Sequence, residues 1–352
     1  MPQDVPGRDR VSNILYWLAD RTACGHYRCL LPGAALEGEG HTVAADEVLS
    51  LERYDACDVL VGQRVAKPGP SAAWQAFASD EGRDALLVYE LDDDVFALCD
   101  ETANPNSAVW PRLIGNVAAN LACADVVTVS TAPLAAVVSA YTSAPVHVVP
   151  NAIPQSLIDS ALDPRVRPGT LGWSGSATHS GDWAADGNAR MVFQWLNANS
   201  VRWRLATIGN RPAPLEQAHA GFARTFWWQQ DGTPDIRKYY SLVRTAFDIG
   251  LAPLARTRFN ASKSDLRLLE LAALGIPWVA TDFGPYADGA EGLGCEDRGG
   301  LTVSKPRGWW THLAALAASD SYRISLRTAG RKWAATRTVD KVLPLWEKAL
   351  GL

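Results

Sequence analysis

Short apolar runs alternate with stretches of helical periodicity along most of this chain. In the first half the runs predict strands over Asn13–Leu18, His41–Ala44, Val59–Gln63, Leu86–Glu90, Asp125–Val129 and Val146–Val149. Between them the pattern predicts helices over Arg28–Glu39, Ser71–Ser79, Ser107–Cys123 and Ala132–Tyr141. Strands apolar throughout, joined by helical crossovers, predict a parallel sheet covered on both faces. The stretch Pro150–Gly169 breaks this rhythm with four prolines and reads as a linker. The pattern then restarts with strand Thr170–Trp173, helix Trp183–Ala198, strand Arg204–Ile208, a short strand near Phe226 and helix Pro234–Thr245. Strand Phe247–Leu251 leads through a polar loop into a helix with Lys263 near its start and Glu270 two turns on. Gly275-Ile276-Pro277 stops that helix and opens strand Trp278–Thr281. Helices over Gly308–Ala318, Tyr322–Arg337 and Val339–Ala349 finish the chain. Two αβ halves in tandem predict an α/β protein of two Rossmann-like domains facing a cleft.

A length of 352 residues fits about two domains. With 47% apolar and 20% charged residues the composition is that of a globular protein. No apolar run approaches the roughly 18–20 residues of a membrane span. The segment MPQDVPGRDR has no apolar h-region, which argues against a secretory signal. Cys24, Cys29, Cys57, Cys99, Cys123 and Cys295 form no CxxC pair and read as reduced thiols of a cytoplasmic protein. The net charge of −5 hides an asymmetry: residues 1–150 carry 9 basic and 20 acidic side chains, residues 151–352 carry 24 and 18. A basic second half suits a phosphorylated small ligand. The acidic first half argues against a broad nucleic-acid surface there.

The candidate chemistry collects where strands end, the edge at which open parallel sheets bind ligands. LGWSGSATHSGDW (171–183) offers Gly175 for close backbone approach, hydroxyls on Ser174, Ser176 and Thr178, and Asp182 as a cap for the next helix. It is either a phosphate-presenting turn or an ordinary βα turn, and it lacks the GxGxxG fingerprint of dinucleotide sites. Lys263, read in the first turn of a helix, opposes the helix dipole unless an anion sits nearby. Glu270 lies among Leu268, Leu269, Leu271, Ala272 and Ala273 and needs partners, either ligand hydroxyls or a structural salt bridge. In the first half, Cys24-Gly25-His26-Tyr27-Arg28 is a glycine loop or a capped helix start. Glu90-Leu91-Asp92-Asp93-Asp94 is a DxD-like cluster, able to bind a divalent metal or to orient a hydroxyl. His26, His41 and His147 have no triad partner at a recognisable spacing, which disfavours a hydrolase.

These residues resemble nucleotide-sugar glycosyltransferases of the GT-B fold, family 4-like. That family carries two glutamates seven residues apart on a helix, followed by a small-Gly-x-Pro-apolar strand. Glu270 matches the second glutamate and Gly275-Ile276-Pro277 the stop. Ser262 stands at the first glutamate's position, and Lys263 matches a lysine found in an FNxxKS context in related branches. His179 stands near the position of the family's loop lysine, and VVPNAIP (148–154) resembles the segment that ends the acceptor domain. The resemblance implies an acceptor domain over 1–150, a linker over 151–169, a donor domain over 170–321, and C-terminal helices over 322–352 that pack back on the first domain.

It further implies retaining transfer of a sugar from a UDP- or GDP-sugar to an acceptor hydroxyl, with no tightly bound cofactor and no metal. Lys263, Glu270, Asp92 and Asp93 would carry the chemistry. Gly175, Ser176, His179, Asn260, Ser262 and Ser264 would bind the donor, and Gly25, His26, Tyr27 and Arg28 the acceptor. The alternatives are a non-catalytic sugar-nucleotide or glycan-binding protein and a transferase acting on a modified DNA base.

Overall fold

The computed structural model describes residues 11–101, 104–159, 169–209, 222–224 and 235–352. The chain divides into two compact units. One comprises the chain up to Asp94 with Pro111–Ala152 and Val339–Leu352; the other comprises Val95–Trp110 and Ile153–Thr338.

The first unit is built on β1 (Asn13–Trp17), β2 (Thr42–Asp46), β3 (Val59–Gln63), β4 (Leu86–Leu91), β5 (Val126–Val129) and β6 (Val146–Val148), in the order β2-β1-β3-β4-β5-β6. All its pairings are parallel. β3 and most of β4 are buried on both faces, as their unbroken apolar runs require. Tyr16, Val61 and Val88 meet Leu36 on one side, with Val342, Leu343 and Trp346 of the last helix, Val339–Leu350, in the same core. Each such aliphatic side chain contributes on the order of 1.5–3 kcal/mol by leaving water. Of the two C-terminal helices expected on the first domain, the last packs on the first unit, whereas Asp320–Ala334 packs on helix Leu266–Ala273 of the second.

The second unit is built on β7 (Thr170–Gly175), β8 (Arg204–Gly209), β9 (Phe222–Arg224), β10 (Ile249–Ala252), β11 (Trp278–Thr281) and β12 (Gly300–Val303), in the order β12-β11-β10-β7-β8-β9. These pairings are also all parallel. Strand order reverses between β7 and β10, so the loops leaving these two strands diverge from a shared crevice, the ligand position in open sheets. Gly250 brings helix Leu266–Ala273 close to β10: a side chain there would meet Leu271 Cδ1 at 2.5 Å.

Several elements differ from the sequence reading. The helix expected from Arg28 begins at Ala23 and contains a π-turn at His26–Leu30. The helix expected over Ser107–Cys123 is two 3-10 turns, Pro105–Ala108 and Trp110–Arg112, before Ile114–Ala122, because Pro105 and Pro111 lack the N–H a continuous helix needs. The helix expected over Trp183–Ala198 breaks at Asp186 and Gly187, both at positive φ. The strand expected near Phe226 pairs at Phe222–Arg224, and Phe226 itself lies outside the described residues. β12 escaped the pattern because two glycines open it; a side chain at Gly300 would strike the Trp278 ring at 2.1 Å.

Candidate functional site

β7 runs two residues past Trp173, so Gly175 is still in the sheet, opposite Gly209. A 3-10 turn, Ala177–His179, and the short helix Ser180–Ala184 follow. Ser176 and Thr178 share a hydroxyl hydrogen bond of 2.6 Å. Asp182, expected as a cap, is instead the tie between the two loops of the crevice. Its Oδ2 meets His179 Nδ1 at 2.8 Å, and its Oδ1 accepts from the Ala255 amide at 2.9 Å and from Asn260 Nδ2 at 2.8 Å. Burial alone would raise the Asp182 carboxyl; the bonds from His179 and the Ala255 amide bring it below the usual range.

His179 is pushed down to about 4, first by burial and then by the positive charges of Arg267 and Lys263. It is neutral at pH 7 and brings no charge to a phosphate. The Asn260 amide, expected toward the donor, donates to Asp182 and, at 3.1 Å, to the Ala255 carbonyl.

The loop after β10 winds into the short helix Arg258–Ala261, capped by Thr257, whose Oγ1 accepts from the Asn260 amide. The next helix starts only at Leu266, so Lys263 precedes it and does not occupy its first turn. The cation that opposes the helix dipole is therefore Arg267, the second residue of that helix, which the sequence reading missed. Arg267 lies 5.9 Å over the Trp173 ring, and its buried Nη1 has no hydrogen-bond partner. Its charge reaches His179, Asp182, Tyr239 and Tyr286. The signal was present in SDLR (264–267): a cation directly after a helix start, one turn before Glu270. Lys263 Nζ lies 4.4 Å over the Phe259 ring. Ser262 is buried and Ser264 half-buried beside it.

Glu270 is 7% exposed, and its Oε2 accepts a 3.0 Å hydrogen bond from the Tyr239 hydroxyl. That hydroxyl also lies 3.0 Å from Ser174 Oγ. Burial and the Glu270 charge hold the Tyr239 phenol well above its ordinary range, so it stays protonated and donates. Tyr239 comes from helix Ile236–Ala246 and carried no motif that would single it out.

In the first unit the segment expected to line an acceptor is largely inside. Gly25 sits so close to the chain after β1 that a side chain would meet Asp20 O at 1.9 Å. Tyr27 and Arg28 are buried, and only His26 keeps partial exposure, its imidazole pushed down to about 4 by burial. Arg28 has no exposed surface, which corrects its acceptor-binding role. It donates to Glu90 Oε1 at 2.6 Å, to the Val149 carbonyl at 2.6 Å and to Asn151 Oδ1 at 3.1 Å, and lies 5.0 Å over the Trp346 ring. Burial pushes Glu90 up to about 7 despite this partner.

Asp92 is almost buried and faces Arg64 Nη1 at 3.6 Å, while Arg64 Nη2 donates to Asp20 at 2.5 Å. Burial raises the Asp92 carboxyl, but Arg64 and the Cys24 thiol more than offset it. Arg64 holds its place with φ 48, a strained backbone for an arginine. Asp93 keeps partial exposure next to it. Among the described residues no cluster of three His, Cys, Asp or Glu side chains is arranged to hold a metal, and none of their helices is long and apolar enough to cross a membrane.

No protein-family model and no curated protein matches the sequence. The fold has clear structural counterparts. An alpha-glucosyltransferase solved with UDP and a 13-mer DNA containing a HMU base matches with a TM-score of 0.70 at 10% identity, over 97% of this chain and 100% of the other. Sucrose-phosphate synthase from Thermosynechococcus elongatus matches with a TM-score of 0.61 at 13% identity, over 96% and 98%. Anabaena HepE, solved with UDP-glucose, matches with a TM-score of 0.61 at 13% identity, over 97% and 100%. At these identities the likeness is one of fold, and it is the GT-B fold of two Rossmann-like units.

Proposed function

We propose that this chain is a glycosyltransferase that moves a sugar from a UDP-sugar to an acceptor hydroxyl with retention of configuration and without a metal. The observation that carries the reading is the pair of loops leaving β7 and β10, locked together by Asp182, with Lys263 on the second loop and Arg267 and Glu270 on the helix that follows it. The diphosphate of the donor takes its place against Lys263, Ser264, Arg267 and the amides at the start of helix Leu266–Ala273. Two cations there stabilise the negative charge that grows as the sugar–phosphate bond breaks. Glu270, held by Tyr239, receives donor hydroxyls. Gly175 and Ser176 line the approach to the phosphates. In the first unit Asp92, with Asp93 and the exposed part of His26, orients the acceptor hydroxyl, which attacks on the face the diphosphate leaves. The departing diphosphate takes the acceptor's proton.

Free thiols at all six cysteines fit a reducing compartment, the cytoplasm. The alpha-glucosyltransferase neighbour bound to DNA favours a second reading, with a modified DNA base as acceptor. The acid excess of residues 1–150 opposes it.

The test is a thermal-shift screen of UDP-, GDP-, ADP- and dTDP-sugars followed by a transfer assay with glycoside and hydroxymethylated-DNA acceptors. A ligand at 100 times its Kd stabilises by about 2.7 kcal/mol, a readable rise in Tm. A UDP-sugar shift with transfer supports the assignment. A shift without transfer or hydrolysis makes the chain a binding protein, and no shift with any nucleotide sugar sinks the donor site.

A further inference from the structure

The chain between Asp94 and Pro111 belongs by sequence to the first half, yet it folds as part of the second unit. Its helix Val95–Leu98 packs on helix Arg258–Ala261, and its turn Pro105–Ala108 packs on the turn Ala177–His179. Both loops of the crevice are thus in contact with one short piece of chain. The contact is apolar: Ala97, Leu98 and Phe259 form a buried cluster of their own, with Trp110 packed against it. Phe259 is the ring under the Lys263 ammonium.

We propose that Phe259 is a positioning residue for Lys263, and that Leu98 and Trp110 set the ring's place. The inference rests on the donor-site reading of Lys263. A lysine stem has four rotatable bonds, and holding its ammonium at one point opposes its rotamer entropy. The face of an aromatic ring attracts the cation and limits where it rests. A ring free to turn would not do this. Phe259 is 5% exposed, and Leu98, at 4%, shares its buried cluster. The ammonium is then held in place before the diphosphate arrives, so little ordering is left for binding to bring about. The bracing segment follows directly on Asp92-Asp93-Asp94 in the sequence.

The experiment is a double-mutant cycle on UDP affinity, with Phe259→Leu, Phe259→Tyr and Leu98→Ala made in the full chain and in a Lys263→Met background. Phe259→Leu is expected to weaken UDP binding about tenfold, the scale of a lost cation–π contact. Phe259→Tyr keeps the ring and restores affinity, and Leu98→Ala falls between. In the Lys263→Met background Phe259→Leu costs less than about twofold, because the residue through which it acts is gone.

Proton NMR of the ligand-free chain gives a readout that needs no donor. The Lys263 ε-methylene signal is shifted by the ring in the wild type, and that shift is lost in Phe259→Leu. Equal losses of affinity in both backgrounds would make Phe259 a packing residue only and overturn the inference. So would unchanged affinity in Phe259→Leu while the wild type binds UDP. A wild-type chain that binds no UDP-sugar overturns the functional reading itself, and the positioning role of Phe259 with it.

Discussion

The Asp182 carboxylate accepts a 2.8 Å hydrogen bond from the Asn260 amide across 78 residues of sequence. With the Ala255 amide on the same oxygen and His179 on the other, it joins the loop after β7 to the loop after β10. Asp182→Ala removes the acceptor of three hydrogen bonds, one to the buried Asn260 amide and two to the half-buried His179 and Ala255. At about 1–3 kcal/mol for the unsatisfied buried group, and less for each of the two that water can reach, the variant is expected to lose roughly 2–4 kcal/mol. Urea unfolding reads this as a lower midpoint at unchanged slope. Loss of UDP affinity should accompany it, since both donor loops come apart.

Arg267 and Lys263 should each matter to turnover more than to folding. Arg267→Met and Lys263→Ala are each expected to lower kcat by about 10²-fold, the scale of one charge-stabilising group, with Tm nearly unchanged. Arg267→Lys should not recover the loss, because a lysine lacks the planar fork that stacks on Trp173. Near-wild-type turnover in either variant would remove that residue from the site.

Tyr239→Phe deletes one hydroxyl and loosens the Glu270 carboxylate. The expected outcome is a rise in KM for the UDP-sugar of about 5- to 20-fold, from loss of a hydrogen bond to a charged group worth about 1–2 kcal/mol. Steady-state kinetics with donor varied checks it. An effect confined to kcat would place Glu270 at the reacting sugar and not on the donor's binding groups.

Acid should destabilise this protein through His179. Its folded-state value of about 4 lies below the ordinary 6.5, so between these values the unfolded chain binds the extra proton. The His179 contribution to stability therefore rises with pH from about 4 to 6.5 and is flat above. The full span is at most about 3 kcal/mol. His179→Gln should make the slope of stability against pH over that window shallower, leaving the part contributed by His26, which burial pushes down to the same value. A slope as steep as the wild type's would show that His179 titrates normally.

Arg28 and Glu90 make a fully buried ion pair, and breaking it from one side leaves a charge in the core. Arg28→Met is expected to cost about 3–5 kcal/mol, and Arg28→Met with Glu90→Gln less than Arg28→Met alone. Chemical denaturation of the three variants tests this. Additive losses would mean that the two groups do not stabilise one another.

The apolar alternation of the sequence was enough to determine two parallel sheets, the approximate place of most strands, and the stop at Gly275-Ile276-Pro277. Those features follow from neighbours two to four residues apart, and the chain displays them directly. The same reading pointed to the loops leaving β7 and β10, because parallel sheets present such loops at one edge. It could not see β12, where Gly300 yields its side-chain space to Trp278. Nor could it see that Arg28 is interior, that His179 is neutral, or that Tyr239 grips Glu270. Each of these depends on partners brought in from distant parts of the chain and on the burial they impose, and burial is what moves a pKa or turns a polar side chain into a tie. Tertiary structure alone decided the strand reversal at β7 and β10. It also packed the chain after Asp94 against Phe259, because an apolar segment packs wherever complementary surface is offered, whichever half of the sequence supplies it.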